Sequence, residues 1–309
     1  MGGRRVLVLG ASGFIGQAVT HALDADPRVD AVVRSGTRAR SSAAAGAEGW
    51  IAHDLVGGST DDLVAVLVEA RPDVVLNCVG KLDGTTAELA AANTVVVARL
   101  IDALASTLPS ARLVTLGSAA EYGVVATGSP VDETHPTNPV GSYGVTKLAA
   151  TQLVRLAVEQ GRVDAVSLRV FNPIGAGMPT ESVLGRAAAG IRAALDAGAD
   201  RIQLGPLGAY RDFVDVRDLA AGVVAAGLAD RVSDPVLNLG GGSPTLVRDA
   251  VRGLAELAGF SGRIEESAAA PSRSRAVDWI AADLTRIRDV LGWSPSTELG
   301  ASLKAIWAG

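Results

Sequence analysis

Cysteine is nearly absent from this chain. Its 309 residues contain one, Cys78, so an intramolecular disulfide is excluded. Cys78 follows Val74-Val75-Leu76-Asn77, a buried-strand pattern, and reads as a small buried residue rather than a nucleophile. Histidine is scarce too. His21, His53 and His135 share no metal-ligand spacing, so no metal site is expected. Aromatic residues make up 4% of the chain, which leaves Ala, Val and Leu to build the core. An excess of positive charge is also missing: the net charge of -5 argues against a nucleic-acid surface. No apolar run reaches the length needed to span a bilayer. Met1-Gly2-Gly3-Arg4-Arg5 leads straight into an apolar strand pattern rather than a secretory leader. These absences lead us to expect a soluble cytoplasmic protein with no nucleic-acid or membrane partner.

What is present is 48% hydrophobic and 20% charged. That suits one large α/β unit, or a domain with a smaller lobe. The run Val6-Leu7-Val8-Leu9 predicts a buried parallel strand. It is followed by Gly10-Ala11-Ser12-Gly13-Phe14-Ile15-Gly16 and then a helical pattern through Ala18, Val19, Ala22 and Leu23. Glycines between strand and helix let backbone approach a phosphate, and the helix N-terminus favours its negative charge. The spacing is Gly-x-x-Gly-x-x-Gly, not the Gly-x-Gly-x-x-Gly of the standard dinucleotide fingerprint. A tight turn alone could also produce it, but the flanking strand and helix favour a phosphate cradle.

Further patterns predict strands at 5–9, 29–33, 73–77, 112–117 and 164–170, and helices at 14–25, 60–70, 85–107 and 143–160. The alternation implies an α/β fold, a doubly wound parallel Rossmann sheet with right-handed crossovers. Residues 35–47, rich in Ala and Ser, read as a surface connection. After Arg169, Pro173, Gly175, Gly177 and Pro179 break the pattern. Helices near 182–196, 216–229 and 246–258 then alternate with short strands near 201–204, 212–214 and 236–238.

Tyr143-Gly144-Val145-Thr146-Lys147 carries candidate chemistry. Residues four apart on a helix share a face. An ammonium held near a phenol favours the phenolate, lowering a pKa that is ordinarily about 10. Such a tyrosine can act as a general acid or base near neutrality. The second candidate is Ser118, at the end of the strand pattern Leu113-Val114-Thr115-Leu116-Gly117. Strand C-termini are where open α/β sheets bind ligands, although a serine there can also satisfy local backbone.

Together these residues resemble the extended short-chain dehydrogenase/reductase family of nucleotide-sugar epimerases, dehydratases and reductases. The likeness runs nearly end to end. It rests on Gly10/Gly13/Gly16, Ser118-Ala119-Ala120-Glu121-Tyr122-Gly123, Tyr143/Lys147, Arg169-Val170-Phe171-Asn172-Pro173, Arg211-Asp212-Phe213-Val214-Asp215-Val216-Arg217-Asp218, Asn238-Leu239-Gly240 and Leu291-Gly292-Trp293-Ser294-Pro295. The resemblance implies a Rossmann domain over 1–171, with 205–240 partly returning to it. A smaller interleaved C-terminal substrate lobe would comprise 172–204 and 241–309.

The resemblance also implies roles. Tyr143 would exchange a proton with a carbonyl oxygen, Ser118 would hydrogen-bond that oxygen, and Lys147 would bind the nicotinamide ribose. Asn93 would maintain a proton path, although an asparagine there can equally serve as a kink or a core hydrogen bond. The cofactor would contact Gly10, Ser12, Gly13, Phe14, Ile15, Gly16, Asp54, Leu55, Val79, Lys147 and Asn172. The substrate would meet Lys81, Ala119, Tyr122 and Asn172, with Arg211 and Arg275 on its diphosphate. The family's usual Arg-Pro-Gly-Asp is absent around Arg273 and Arg275.

The second strand predicts which cofactor. An acid at its end would bind the ribose hydroxyl of NAD, whereas an arginine accommodates the 2′-phosphate of NADP. Here the strand runs into Arg34-Ser35-Gly36-Thr37-Arg38, with no acid before Glu48. We therefore expect NADP(H) on Arg34 and then Arg38, with NAD the weaker alternative and solvated arginines the bland one. Ala119 and Ala120 occupy the positions of the family's Asp-Glu dehydratase pair, which argues against a 4,6-dehydratase. The expected reaction is NADPH-dependent reduction of a 4-keto-6-deoxyhexose on a nucleotide, closest in motifs to the GDP-4-keto-6-deoxymannose reductases. Alternatives are an epimerase with bound NAD(P), a reductase of a non-nucleotide ketone and a non-catalytic NADP-binding regulator. A homodimer through the helices near 85–107 and 143–160 is expected by resemblance.

Overall fold

A computed structural model describes residues 2–37, 49–267 and 277–309. Arg38, Arg273 and Arg275 lie outside the described residues. Strand β1 (Arg4–Leu9) has Val6 to Leu9 almost wholly buried, as a strand covered on both faces must be. After it come α1 (Phe14–Asp24), β2 (Val29–Gly36), β3 (Trp50–Ala52), α2 (Thr60–Ala70) and β4 (Val74–Asn77). Helix α3 (Thr86–Ala90) continues through a π-helical turn, Ala91–Val95, into α4 (Val96–Thr107). Then follow β5 (Arg112–Ser118), a 3₁₀ turn at Ala119–Glu121, α5 (Ser142–Glu159) and β6 (Asp164–Val170).

The remainder comprises β7 (Asn172–Ile174), α6 (Val183–Ala197), β8 (Arg201–Leu204), β9 (Tyr210–Asp215), α7 (Val216–Leu228) and β10 (Val236–Leu239). The chain closes with β11 (Pro244–Leu246), α8 (Val247–Leu257), β12 (Arg263–Glu266), α9 (Thr285–Leu291) and α10 (Leu299–Ala308).

Seven parallel strands form one sheet in the order β10-β6-β5-β4-β1-β2-β3. This is the doubly wound Rossmann order with β10 added at one edge, and its direction reverses between β1 and β4. One apolar layer packs residues of α1, α7 and α9 on the sheet, and the opposite layer packs α2, α4 and α5. A third apolar cluster joins α6, α8 and α10 with Ile202 and Leu204 of β8. Beside it β7 pairs with β9, β9 with β11, and β8 with β12. The chain thus leaves the main sheet after β6 and comes back to it at β10.

Local signals set the ends of several elements. Ser59 with Asp62 and Thr85 with Glu88 form capping boxes at α2 and α3. The helix expected over 85–107 is present, with the π turn at Asn93. Strands β3, β7, β11 and β12 and helices α9 and α10 were not anticipated. The four strands are three or four residues long, too short for a period-2 pattern to register.

One expectation is corrected. The helical segment Thr86–Thr107 is long and apolar enough, by length and composition, to cross a bilayer. Asn93 and Thr94 interrupt its apolar sequence but not its helix. Half of its most apolar stretch is buried inside the protein, on α2 and α5.

Candidate active site

The β1–α1 turn lies at the reversal point of the sheet. Gly10 has φ +77, and its amide and that of Ala11 both donate to Ser35 O, at 2.9 and 3.1 Å. A Cβ on Gly16 would come within 2.0 Å of Gly10 O, so only glycine lets α1 start this close to the turn. Gly13 caps α1 with no side-chain hydrogen bond. The first N–H groups of that helix therefore face the open end of the sheet, a ready anion site. Ser12 and Gly13 are exposed there, with Phe14 and Ile15 half-buried behind them. Val79, just past β4, borders the turn: its Cγ2 lies 3.0 Å from where a Gly10 Cβ would be. The group this cradle fits is a dinucleotide pyrophosphate.

Arg34 does not belong to this cradle. Its Nη2 donates to both carboxylate oxygens of Asp24, at 2.5 and 2.6 Å. Asp24 is the last residue of α1, about 15 Å of helix from the turn. The β2 residue that passes the cradle is Gly36, whose Cβ would sit 3.3 Å from Ser12 Oγ. Arg34 stands opposite Val8, one residue before the Ser35 carbonyl that the turn amides bond, and in this structure its guanidinium is engaged by Asp24. Asp54 and Leu55 follow β3 near the same edge. Asp54 Oδ1 accepts from Val56 N and Gly57 N, and Leu55 is buried.

The second half of the site gathers at the ends of β4 and β5. Lys147 is 7% exposed, and its Nζ donates to Leu116 O at 2.9 Å. The same Nζ lies 6.0 Å from the centre of the Tyr143 ring. Burial pushes the Lys147 ammonium down to about 8, against an opposing pull from Glu121. Gly80 marks where β4 meets this group: a Cβ there would be 3.1 Å from Lys147 Nζ and 3.3 Å from Asn93 Oδ1.

Asn93 is held by its π turn so that Oδ1 accepts from Lys81 N and Nδ2 donates to Lys81 O, both at 2.9 Å. Nδ2 also reaches Thr146 Oγ1 at 3.2 Å. A π turn at a functional position is a common use of that strained geometry. Lys81 itself pairs with Glu88 at 3.1 Å.

Ser118 ends β5, and its hydroxyl oxygen accepts from Ala120 N at 3.2 Å, so its proton can be directed elsewhere. Ala119 is buried beside it. Gly144 brings α5, and hence Tyr143, against this turn. A Cβ there would lie 2.5 Å from Ala120 O and 2.8 Å from Pro139 Cβ. We expect Gly144→Ala to push α5 off the turn and lower turnover roughly 100-fold, with the fold retained by circular dichroism. A variant with wild-type turnover would show that this close approach is dispensable.

Tyr122, expected to touch substrate, is corrected to a core residue. It is 1% exposed, and its hydroxyl donates to Asn238 Oδ1 at 2.6 Å and accepts from Arg169 Nη1 at 3.1 Å. Arg169 also lies over its ring at 4.7 Å. Burial pushes its phenol up to about 12, out of acid–base range. Asn172 is half-buried, and its Nδ2 donates to Asp212 O at 3.0 Å, tying β7 to β9. Arg211 donates to Tyr210 O at 2.8 Å, and desolvation lowers its affinity for the proton. Cys78 is free, and burial pushes its thiol up to about 12, so it is no thiolate at neutral pH. Among the described residues no cluster of His, Cys, Asp and Glu could hold a metal.

Sequence reasoning gave no role to Glu121, Thr151, Ser167 or Arg169, which form a buried polar cluster under Ser118. Their signal was a set of charged and hydroxyl residues inside or beside apolar strand and helix patterns. Asp212 was likewise unassigned. It is fully buried and accepts from the amides of Gly241, Gly242 and Ala282, and burial raises its carboxyl to about 6.

A Rossmann sheet with a phosphate cradle beside a Ser/Tyr/Lys group defines an NAD(P)-dependent oxidoreductase of the extended short-chain type. Residues 6–240 match the model of the NAD dependent epimerase/dehydratase family, and the chain belongs to that family. It is 41% identical, over 98% of its length and 94% of the relative's, to a dTDP-6-deoxy-L-talose 4-dehydrogenase (NAD(P)(+)) of Kitasatospora kifunensis. A GDP-6-deoxy-D-mannose reductase of Pseudomonas aeruginosa is 30% identical over 67% of this chain and 68% of that protein.

Among solved structures, RMD from Pseudomonas aeruginosa complexed with NADPH superposes with a TM-score of 0.80 at 26% identity, covering 99% of this chain and 98% of that one. MoeE5 in complex with UDP-glucose and NAD gives 0.82 at 27%, covering 98% and 97%.

Proposed function

We propose that this chain transfers hydride between NADP(H) and C4 of a nucleotide-activated 6-deoxyhexose, acting as a 4-ketoreductase. The observation that carries this reading is that Lys147 Nζ lies 6.0 Å from the Tyr143 ring and bonds Leu116 O on the strand that ends in Ser118, while Gly80 and Val79 link this group to the β1–α1 turn. The family resemblance adds that alanines stand at 119 and 120, where its dehydratases carry acids. The 41%-identical relative is named for the same bond taken in the oxidising direction, and the two directions are one reversible reaction.

Gly10 to Gly16 would hold the pyrophosphate, and Val79 and Lys147 would border the nicotinamide riboside. When bound, the nicotinamide supplies or accepts hydride. Tyr143 gives its proton to the C4 oxygen as that oxygen gains charge, and Ser118 donates a hydrogen bond to the same oxygen. The Lys147 ammonium favours the phenolate that remains. Arg211 is the candidate for the substrate diphosphate.

NADP(H) as the preferred cofactor is supported by the missing acid at the β2 end: glycine occupies position 36, leaving the 2′ position open to a phosphate. A homodimer through α4 and α5 is supported by the exposed apolar residues Val95, in the π turn before α4, and Val145 and Leu156 of α5.

The test is a panel of 4-keto and 4-hydroxy nucleotide 6-deoxyhexoses with NADPH and NADH. We expect stoichiometric NADPH oxidation by a 4-keto compound, with a lower Michaelis constant for NADPH than for NADH. Interconversion of 4-hydroxy epimers with no net cofactor turnover would replace this reading by an epimerase.

A further inference from the structure

Glu121 has no place in the reaction as described, yet it is 0% exposed directly beneath the site. Its Oε1 accepts from Ser118 N at 2.8 Å and from Thr151 Oγ1 at 3.0 Å. Its Oε2 accepts from Arg169 Nε at 2.8 Å. A Cβ on Gly117 would fall 2.6 Å from Glu121 Oε1, so Gly117 leaves the slot that the carboxylate fills. Thr151 stands one helical turn after Lys147 on the same face of α5. The carboxylate therefore bonds both the strand end that carries Ser118 and the helix face that carries Lys147. A second tie, from Lys147 Nζ to Leu116 O, runs beside it.

We propose that Glu121 is a positioning residue whose buried carboxylate ties the end of β5 that carries Ser118 to the face of α5 that carries Lys147, its negative charge acting on that lysine. Few groups act on the Lys147 charge among the described residues. Tyr143 faces Lys147 from its own helix, and Glu121 faces it from the turn after β5. Arg169 of β6 acts on it through Glu121. Asn93 and Gly80, from the π turn and from beyond β4, are uncharged. Burial lowers the proton affinity of Lys147, and Glu121 opposes this fall. Removing the carboxylate charge would let the ammonium release its proton at still lower pH. In the reducing direction, activity would then be lost from the alkaline side sooner.

This inference rests on the proposed reaction only for what Ser118 and Lys147 do, and its main test needs no substrate. The chain has three lysines, Lys81, Lys147 and Lys304. NMR titration of isotope-labelled lysine side chains, with Lys147→Met for assignment, reads Lys147 directly. In Glu121→Gln we expect its midpoint to fall by roughly one unit, with the alkaline limb of kcat moving the same way. Glu121→Asp keeps the charge and the ion-pair partner but shortens the reach to Ser118. We expect an unmoved Lys147 titration, kcat lowered roughly 10- to 100-fold and an unchanged KM for the sugar.

If Glu121→Gln strands Arg169 and does not fold, Glu121→Gln/Arg169→Met is read against Arg169→Met, so that the loss of the arginine charge is common to both and the difference reports Glu121. A Lys147 titration in the charge-removed protein identical to that of its reference, or wild-type kcat in Glu121→Asp, would overturn the proposal. A wild-type chain that reduces no 4-keto nucleotide sugar would sink the reaction instead and leave the lysine titration to decide on Glu121.

Discussion

Tyr143→Phe is expected to lower turnover roughly 10²- to 10⁴-fold while NADPH still binds nearly as tightly. The range is what a positioned general acid contributes. In the proposed mechanism the phenol is the acid of the pair, and removing one oxygen leaves the ring, α5 and the β1–α1 turn in place. Lys147 remains anchored to Leu116 O. The residual rate would come from Ser118 and from holding the two reactants together. Single-turnover kinetics with NADPH fluorescence separates the steps: binding amplitude retained, hydride transfer slowed. A variant within threefold of wild type in the hydride-transfer step would remove Tyr143 from the mechanism. Tyr122 offers no substitute, because its phenol is buried and bonded to Asn238.

The second large effect falls on stability. Arg169 and Glu121 form an ion pair at 2.8 Å with side-chain exposures of 4% and 0%. Truncating one partner of a buried pair leaves the other charged and desolvated, which costs about 3–5 kcal/mol. We expect Arg169→Ala to lower unfolding stability by that amount, seen as a lower urea midpoint at constant m. It also vacates the space against the Tyr122 ring and removes a donor to Tyr122 Oη and Glu133 O. Glu121→Gln added to Arg169→Met should be milder than either charge-stranding single substitution, because no buried charge is left unpaired. Losses that simply add would show that the two residues do not depend on each other. A fall below 1 kcal/mol in Arg169→Ala would mean that Glu121 is satisfied without its partner.

The pattern of the chain carried the Rossmann half of the molecule and marked candidates for the site. Continuous apolar runs such as Val6–Leu9 can be little else than strands buried on both faces. The glycines after them fix where backbone approaches a phosphate. Tyr143 and Lys147 share a helix face by spacing alone. Short strands such as β7 and β11 carry no period of their own, and they exist only because β9 lies between them.

Arg34 is a different case. Its identity pointed to a 2′-phosphate, but identity does not give direction. Register decides that Gly36 and not Arg34 passes Ser12, and Asp24 then takes the guanidinium.

The sequence by itself determined the fold class and marked the glycine turn and the candidate catalytic residues, because each is written in local spacing. Tertiary structure alone decided which groups are desolvated together. Tyr122 and Tyr143 are both tyrosines of recognisable motifs. One is sealed against Arg169 and Asn238, and the other lies beside Lys147. Nothing in its local sequence gives Glu121 a role. It becomes the anchor of Ser118 only where β5, β6 and α5 close around it, since burial, pairing and charge depend on neighbours distant in the chain.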